Sequence, residues 1–165
     1  EIASQCRFHD CRHGSDAGCA IRDAVAEGRL SRERIDGFLK LDEEIAKGPF
    51  KAVLHCYTGG RELAMKAIDL GLSISFTGIL TFKNSQSIRD IAAELPADRI
   101  MVETDAPYLA PGKYRGKRNE PSFVTETARV LAETRGVSVE EISRQTTENF
   151  FRLFDKVPRP DAQAA

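Results

Sequence analysis

The chain has 165 residues with 24 basic and 25 acidic side chains, so its formal net charge at pH 7 is −1. This balance excludes a general attraction to nucleic acid or to an anionic membrane, and binding of a polyanion then depends on a local basic patch. The sequence is 41% hydrophobic and 30% charged, which is typical of a soluble globular protein. No apolar run approaches the roughly 20 residues that a membrane span needs, so no membrane partner is expected.

The first twenty residues contain three of the four cysteines and two of the three histidines, and the cysteines with one of these histidines form a possible donor set. The spacing is Cys-x4-Cys-x-His-x5-Cys, formed by Cys6, Cys11, His13 and Cys19. Three thiolates and one imidazole are the closed tetrahedral set of structural zinc sites. Clustered thiols also favour a reducing compartment, here the cytoplasm, over a disulfide framework. The sequence predicts a structural Zn²⁺; the alternative is buried or free thiols near an exposed histidine.

Two short helices are predicted after this loop. The apolar residues from Ala20 to Val25 predict a helix that ends at Gly28. Ser31 is the predicted N-cap of a second helix. The buried side of that second helix is predicted to contain Ile35, Phe38, Leu39 and Ile45. The pair Gly48-Pro49 ends it and predicts a domain boundary, giving units 1–48 and 49–157 and a tail 158–165.

Strands and helices alternate after residue 49. The predicted strands are Ala52–Leu54, Leu72–Phe76 and Ile100–Val102, and the helices between them are Arg61–Leu70 and Ser85–Leu95. Two further helices are predicted from Pro121 and from Ser138, where Glu141 completes a capping box. Alternation with continuously apolar strands predicts an α/β fold with a buried parallel sheet, either doubly wound or part of a barrel.

A histidine and two acidic residues follow the first and third predicted strands. His55 closes the first strand, and Glu103 and Asp105 come after the third. Parallel strands bring both positions to the carboxyl edge, where barrel enzymes build their active sites. There His55 and Asp105 are candidates to share a divalent cation, with Glu103 as an orienting partner or further ligand. The residue types alone favour the structural explanation, a hydrogen-bonded histidine and a turn-forming aspartate.

The polar loop after the third strand is a candidate phosphate-binding segment. Its candidate substrate-binding residues are Arg115, Lys117, Arg118 and Asn119. Basic side chains beside a glycine grip phosphate by charge while the backbone approaches closely. Composition alone favours an ordinary solvated loop. Tyr57 and Tyr108 flank the predicted ligands, and either cleft lining or buried packing explains them.

The segment CRFHDCRHGSDAGCAIRDAVAEGRLSRERIDGFLKL, within residues 2–45, resembles the C-terminal zinc region of the RsgA-type GTPases, which act on the small ribosomal subunit. This resemblance implies zinc on the four clustered donors and a ribosome or RNA partner. The phosphate-binding motif G-x-x-x-x-G-K-[ST] does not occur in the sequence, so the resemblance does not extend to GTPase activity.

The sequences LHCYTGG, ISFTGILTFKNS, ETDAPYLAP, RGKRNEP and TTENFFRLF, between residues 49 and 157, resemble the C-terminal part of the TatD-type metal-dependent deoxyribonucleases. This resemblance implies a partial TIM-type (β/α) barrel segment of about three parallel strands. It also implies that His55 and Asp105 are catalytic metal ligands for Mg²⁺, Mn²⁺ or Zn²⁺. The polar loop after the third strand, residues 113–119 and called the basic loop, is then implied to contact DNA phosphate. That family's early H-x-H pair, its middle Glu and another histidine have no counterpart here, so little or no deoxyribonuclease activity is expected.

The sequence therefore predicts a phosphodiester hydrolase of the TatD type that is incomplete and weakly active or inactive. One alternative is a zinc-stabilised module that binds ribosomal RNA. The other is a non-functional fusion or engineered chimera joined near Gly48. Three strands leave two sheet edges unpaired, which predicts association with further copies of the chain.

Overall fold

The computed structural model describes residues 2–8, 11, 13, 15–33, 36, 40, 43–44, 46–48 and 50–160. Two compact units divide the chain, residues 1–50 and residues 51–165. None of the helices in the described ranges is long and apolar enough to cross a membrane.

The first unit begins with a single-turn 3₁₀ helix, Ala3–Gln5, and a loop that carries the cysteine cluster. Helix α1, Ala20–Ala26, follows the last cysteine of the cluster, and Gly28 adopts a positive φ of 74° just after the helix ends. Residues 32–33, 36, 40, 43–44 and 46 are also helical, as predicted for the segment after Ser31. The four apolar side chains predicted to be buried there lie outside the described residues.

The second unit contains one parallel three-stranded sheet in the order β1-β2-β3. Its strands are β1 Val53–Leu54, β2 Ser73–Phe76 and β3 Ile100–Val102. Val53 pairs with Ser73, and Ile74 pairs with Ile100, so the carboxyl ends of all three strands share one edge. The expected α/β class with three parallel strands is confirmed.

In residues 51–160, four α-helices follow or separate these strands: α2 Arg61–Asp69, α3 Gln86–Glu94, α4 Val124–Arg135 and α5 Val139–Leu153. Strand β2 is buried along its whole length, and the sheet contributes Ile74, Phe76 and Ile100 to the core. Burying each of these side chains stabilises the fold by about 1.5–3 kcal/mol. A sheet covered in this way explains why the strands are apolar without alternation.

Helix α5 is fixed at both ends by side-chain hydrogen bonds. Its N-cap Ser138 accepts a hydrogen bond from the Glu141 amide at 3.1 Å, as the predicted capping box requires. Further along, the buried Asn149 amide donates to the carbonyls of Ala97 and Ile100, at 2.7 and 2.8 Å. Asn149 therefore ties this helix to the start of β3.

Helix α4 holds the buried carboxylate Glu126, which pairs with two cations. Arg129 donates to it at 2.7 Å, and the Lys113 ammonium of the basic loop lies 3.3 Å away. The hydrogen bonds from Arg129, and then from Lys113, hold the pKa of Glu126 below its usual range. Glu126 thus connects the basic loop to the helical layer.

We expect Glu126→Gln to lower the free energy of unfolding by about 1–3 kcal/mol at pH 7, because both cations lose a charged acceptor. A carboxylate with a depressed folded-state pKa stabilises the fold above its unfolded pKa of about 4.3, and this contribution is lost as pH falls through the folded value. The deficit should therefore shrink in urea unfolding at pH 3. Glu133→Gln removes the exposed partner of the same Arg129 and should cost less than about 1 kcal/mol. Equal losses in the two variants would contradict the role given to Glu126.

Candidate metal centres

The carboxyl edge of the sheet brings together one histidine and two carboxylates. Ligand atoms of His55, Glu103 and Asp105 all lie within 4.8 Å of one another. The His55 Nδ1 atom is 3.8 Å from Glu103 Oε1, and the His55 side chain is 72% exposed. One imidazole and two carboxylates are a nitrogen and oxygen donor set suited to Mn²⁺, Zn²⁺ or Mg²⁺. His55 is exposed and the two carboxylates are half-buried, so an ion held here would be accessible from the His55 side.

Strand pairing continues past the strand ends and places these donors. The Tyr57 amide donates to the Ser75 carbonyl at 3.1 Å, and the Glu103 amide donates to the Phe76 carbonyl at 3.0 Å. Glu103 Oε1 also accepts a hydrogen bond of 2.6 Å from the Cys56 amide, which links the ends of β1 and β3. Sequence reasoning left Glu103 open as ligand or orienting partner, and this hydrogen bond gives it an orienting contact whether or not it binds an ion.

Two residues of this edge have strained backbones. Cys56 has φ +49° and Asp105 has φ +56°, a left-handed conformation that residues with a Cβ seldom adopt. Each such residue costs on the order of 1 kcal/mol or more, and strain of this kind clusters at functional sites. Burial, followed by a hydrogen bond to Asp105, raises the pKa of the Cys56 thiol. That thiol is therefore protonated at neutral pH and is a poor nucleophile.

The basic loop divides into exposed and buried members. Arg115, Lys117 and Arg118 are exposed, and the Arg115 guanidinium lies over the Phe82 ring at 4.5 Å. Asn119, in contrast, is only 3% exposed. Its amide nitrogen donates to the carbonyls of Thr104 and Tyr108, at 2.7 and 2.6 Å, and its oxygen accepts from the next backbone amide. The polar atoms of Asn119 are thus engaged within the loop, and its predicted contact with substrate stays a prediction.

A second donor set lies in the first unit. Ligand atoms of Cys6, Cys11, His13 and Cys19 lie within 4.8 Å of one another. The sulfur atoms of Cys6 and Cys19 are each 3.6 Å from His13 Nδ1. Donors bound tetrahedrally at about 2.3 Å for sulfur and about 2.1 Å for nitrogen are separated by about 3.6 Å. The donor spacing therefore fits a tetrahedral metal ion.

Backbone geometry around this cluster favours convergence of the donors. The Arg7 amide donates to the Gly18 carbonyl at 3.0 Å and closes the loop. Gly18 has φ +71°, and a Cβ there would lie 2.9 Å from the Cβ of Arg7. Burial raises the pKa of the Cys11 thiol to about 11, and hydrogen bonds with Cys19 and Cys6 act in the same direction. Burial acts in the same direction on the Cys6 thiol, but hydrogen bonds from the backbone and from Cys11 and Cys19 outweigh it and hold the pKa of Cys6 below its usual value.

A parallel α/β sheet with a candidate cation site at its carboxyl edge has the arrangement of the (β/α)-barrel hydrolases. The family model described as "TatD related DNase" matches residues 31–155. The chain therefore belongs to the family of TatD-related DNases.

Individual relatives agree with this family. The chain is 54% identical over 102 residues to the uncharacterized metal-dependent hydrolase YcfH of Escherichia coli K12, covering 62% of this chain and 38% of that protein. It is 39% identical over 108 residues to the 3'-5' ssDNA/RNA exonuclease TatD of Pantoea ananatis, covering 62% and 42%. The crystal structure of the E. coli TatD homologue YjjV superposes with a TM-score of 0.60 at 31% identity, covering 65% and 41%.

The chain spans about two fifths of the length of each of these proteins. The family match begins at residue 31, so the segment 31–45 that resembles the GTPases also falls within the match to the DNases. The comparisons give no support to the GTPase resemblance, and the ribosome-binding alternative is not favoured.

Proposed function

We propose that this chain contributes a divalent-metal centre for hydrolysis of nucleic-acid phosphodiesters, with His55 and Asp105 as ligands. The observation that carries the proposal is the convergence of three donor side chains within 4.8 Å at the carboxyl edge of the sheet. A bound divalent ion would supply positive charge for the phosphoryl group and for activation of water.

The side chains of the chain have separate parts in this proposal. Asp105 and His55 would hold the ion, and Glu103 links the ends of β1 and β3 by accepting a hydrogen bond from the Cys56 amide. Arg115, Lys117 and Arg118 would bind the substrate backbone, because exposed guanidinium and ammonium groups neutralise phosphate. The similarity to the Pantoea 3'-5' ssDNA/RNA exonuclease supports nucleic acid as the substrate class.

We expect Asp105→Asn and His55→Ala to weaken Mn²⁺ binding about tenfold or more, because the first removes the charge of one donor and the second removes another donor altogether. Electron paramagnetic resonance of free Mn²⁺ measures this, with one equivalent of zinc supplied first to occupy the thiolate cluster, which prefers the softer ion. Asp69→Asn changes an exposed aspartate on α2 and should leave binding unchanged. Equal affinity in all four proteins would reject the site.

Cleavage of a fluorescent single-stranded oligonucleotide with added Mn²⁺ tests the reaction itself. We expect slow turnover or none, because three donors hold a hard cation weakly and the ligands expected from other strands have no counterpart in this sequence. Rapid cleavage that His55→Ala abolishes would confirm the reaction but show that other residues complete the ligand set.

We further propose that the cluster in the first unit holds one structural Zn²⁺. Three thiolates and an imidazole leave no open coordination position, so this ion would stabilise the loop without contacting substrate. The donor spacing of 3.6 Å between sulfur and nitrogen supports the proposal.

A further inference from the structure

The two tyrosines near the candidate metal ligands have opposite environments. Tyr57 is 5% exposed, and its hydroxyl donates to the Gly60 carbonyl at 2.7 Å. Tyr108 is 73% exposed, the highest value for a large apolar side chain in the described part of the chain. Tyr57 therefore has a packing role, whereas the ring of Tyr108 is presented to solvent.

The backbone of Tyr108 is held on both sides although its ring is exposed. Its amide donates to the Asp105 carbonyl at 2.8 Å, and its carbonyl accepts from the buried Asn119 at 2.6 Å. The first bond closes a four-residue turn, which places the Cα atoms of Asp105 and Tyr108 within about 7 Å. The backbone that carries this exposed ring is thus fixed next to a candidate metal ligand.

Positive charge follows on the same loop. Within residues 50–160, neither Lys117 nor Arg118 forms an ion pair with a carboxylate, and both are exposed. The backbone amide of Asn119 donates to the Pro107 carbonyl at 3.0 Å and joins this basic stretch to the turn that contains Tyr108. An exposed aromatic ring on a fixed backbone, beside exposed cations, is the arrangement with which proteins bind single-stranded nucleic acid, by stacking on bases and neutralising phosphates.

We propose that Tyr108 stacks on a base of single-stranded nucleic acid, next to the phosphate that lies at His55 and Asp105. This inference rests on the proposed function and adds the residue that holds the base, which has to belong to a single strand because a base within a duplex is already stacked on its neighbours. Lys117 and Arg118 would bind phosphate through their charge, and Tyr108 would contact the base.

The test is fluorescence anisotropy with a labelled ten-residue oligothymidylate and an abasic strand of equal length, without added Mn²⁺. We expect wild-type protein to prefer the strand with bases, and Tyr108→Ala to lose about tenfold in affinity for that strand alone. Tyr108→Phe keeps the ring and should bind like wild type. Phe154→Ala removes a ring that is 43% exposed elsewhere in the fold and should change neither affinity.

The possible results separate this inference from the proposed function. Equal wild-type affinity for the two strands, or equal losses for both in Tyr108→Ala, would overturn stacking and leave the hydrolase proposal intact. Base-dependent binding by a protein whose Mn²⁺ affinity is unchanged in Asp105→Asn and His55→Ala would support stacking and reject the metal centre of the proposed function. Absence of binding to either strand would overturn stacking and the proposed substrate class together. Circular dichroism checks that the exposed substitution leaves the fold unchanged.

Discussion

Removal of zinc is expected to unfold the first unit and to leave residues 51–160 folded. Only Cys19 and Ala24 are buried among the described residues up to 48, so apolar burial by these residues contributes little to the cysteine loop and α1. Structural zinc sites in small loops supply about 10–16 kcal/mol, which would hold the loop and α1 together. Elemental analysis should find one zinc per chain, and hydrogen exchange should show loss of protection in α1 after chelation.

Single-cysteine variants sharpen this zinc prediction. Cys19→Ser replaces a buried donor and should reproduce the effect of chelation. Cys56→Ser changes the cysteine outside the cluster and should leave the zinc content at one. Zinc-free wild-type protein with full protection in α1 would contradict the prediction.

Gly78→Ala is expected to destabilise the second unit by at least about 3 kcal/mol. A Cβ at Gly78 would lie 2.0 Å from the Leu109 carbonyl oxygen and 3.1 Å from the Pro111 nitrogen. These are backbone atoms, which cannot rotate away as a flexible side chain would. The midpoint of urea unfolding should fall, and binding of single-stranded DNA should weaken with it, because Leu109 follows Tyr108.

Gly112→Ala is the matched control for this substitution. A Cβ at Gly112 would make ordinary contacts of 3.6 Å with Thr81, so its unfolding midpoint should stay near that of wild type. Similar midpoints for the two alanine variants would show that the turn after β2 yields to accommodate a side chain.

The sheet and its helices could be predicted because local signals agreed along the chain. Strand β3 was predicted as Ile100–Val102 and is observed with the same bounds, since an apolar run there follows a helix stopped at Pro96. The capping box at Ser138 formed because its bond joins residues only three apart. Convergence of His55 with Asp105 followed from topology alone, as parallel strands share their carboxyl edge.

The internal arrangement of the loop after β3 could not be predicted from the sequence. Asn119 stands among exposed basic residues and was grouped with them, yet it is buried. Its bonds to Thr104 and Tyr108 span 15 and 11 residues and depend on the path of the loop. The hydrogen bond between Glu103 and Cys56 joins residues 47 positions apart, so local sequence patterns could not predict it either.

The bonds of Asn119 have a consequence for recognition. One buried side-chain amide joins the two ends of this loop, so the loop is preorganised. A ligand that binds to it therefore loses little free energy to ordering of the chain. Association should then follow a single kinetic phase that depends on salt, without a slow closure step. The segment from Thr104 to Asn119 would act as a rigid binding surface beside the sheet. A nucleic-acid strand would be positioned on this surface without any refolding of the loop.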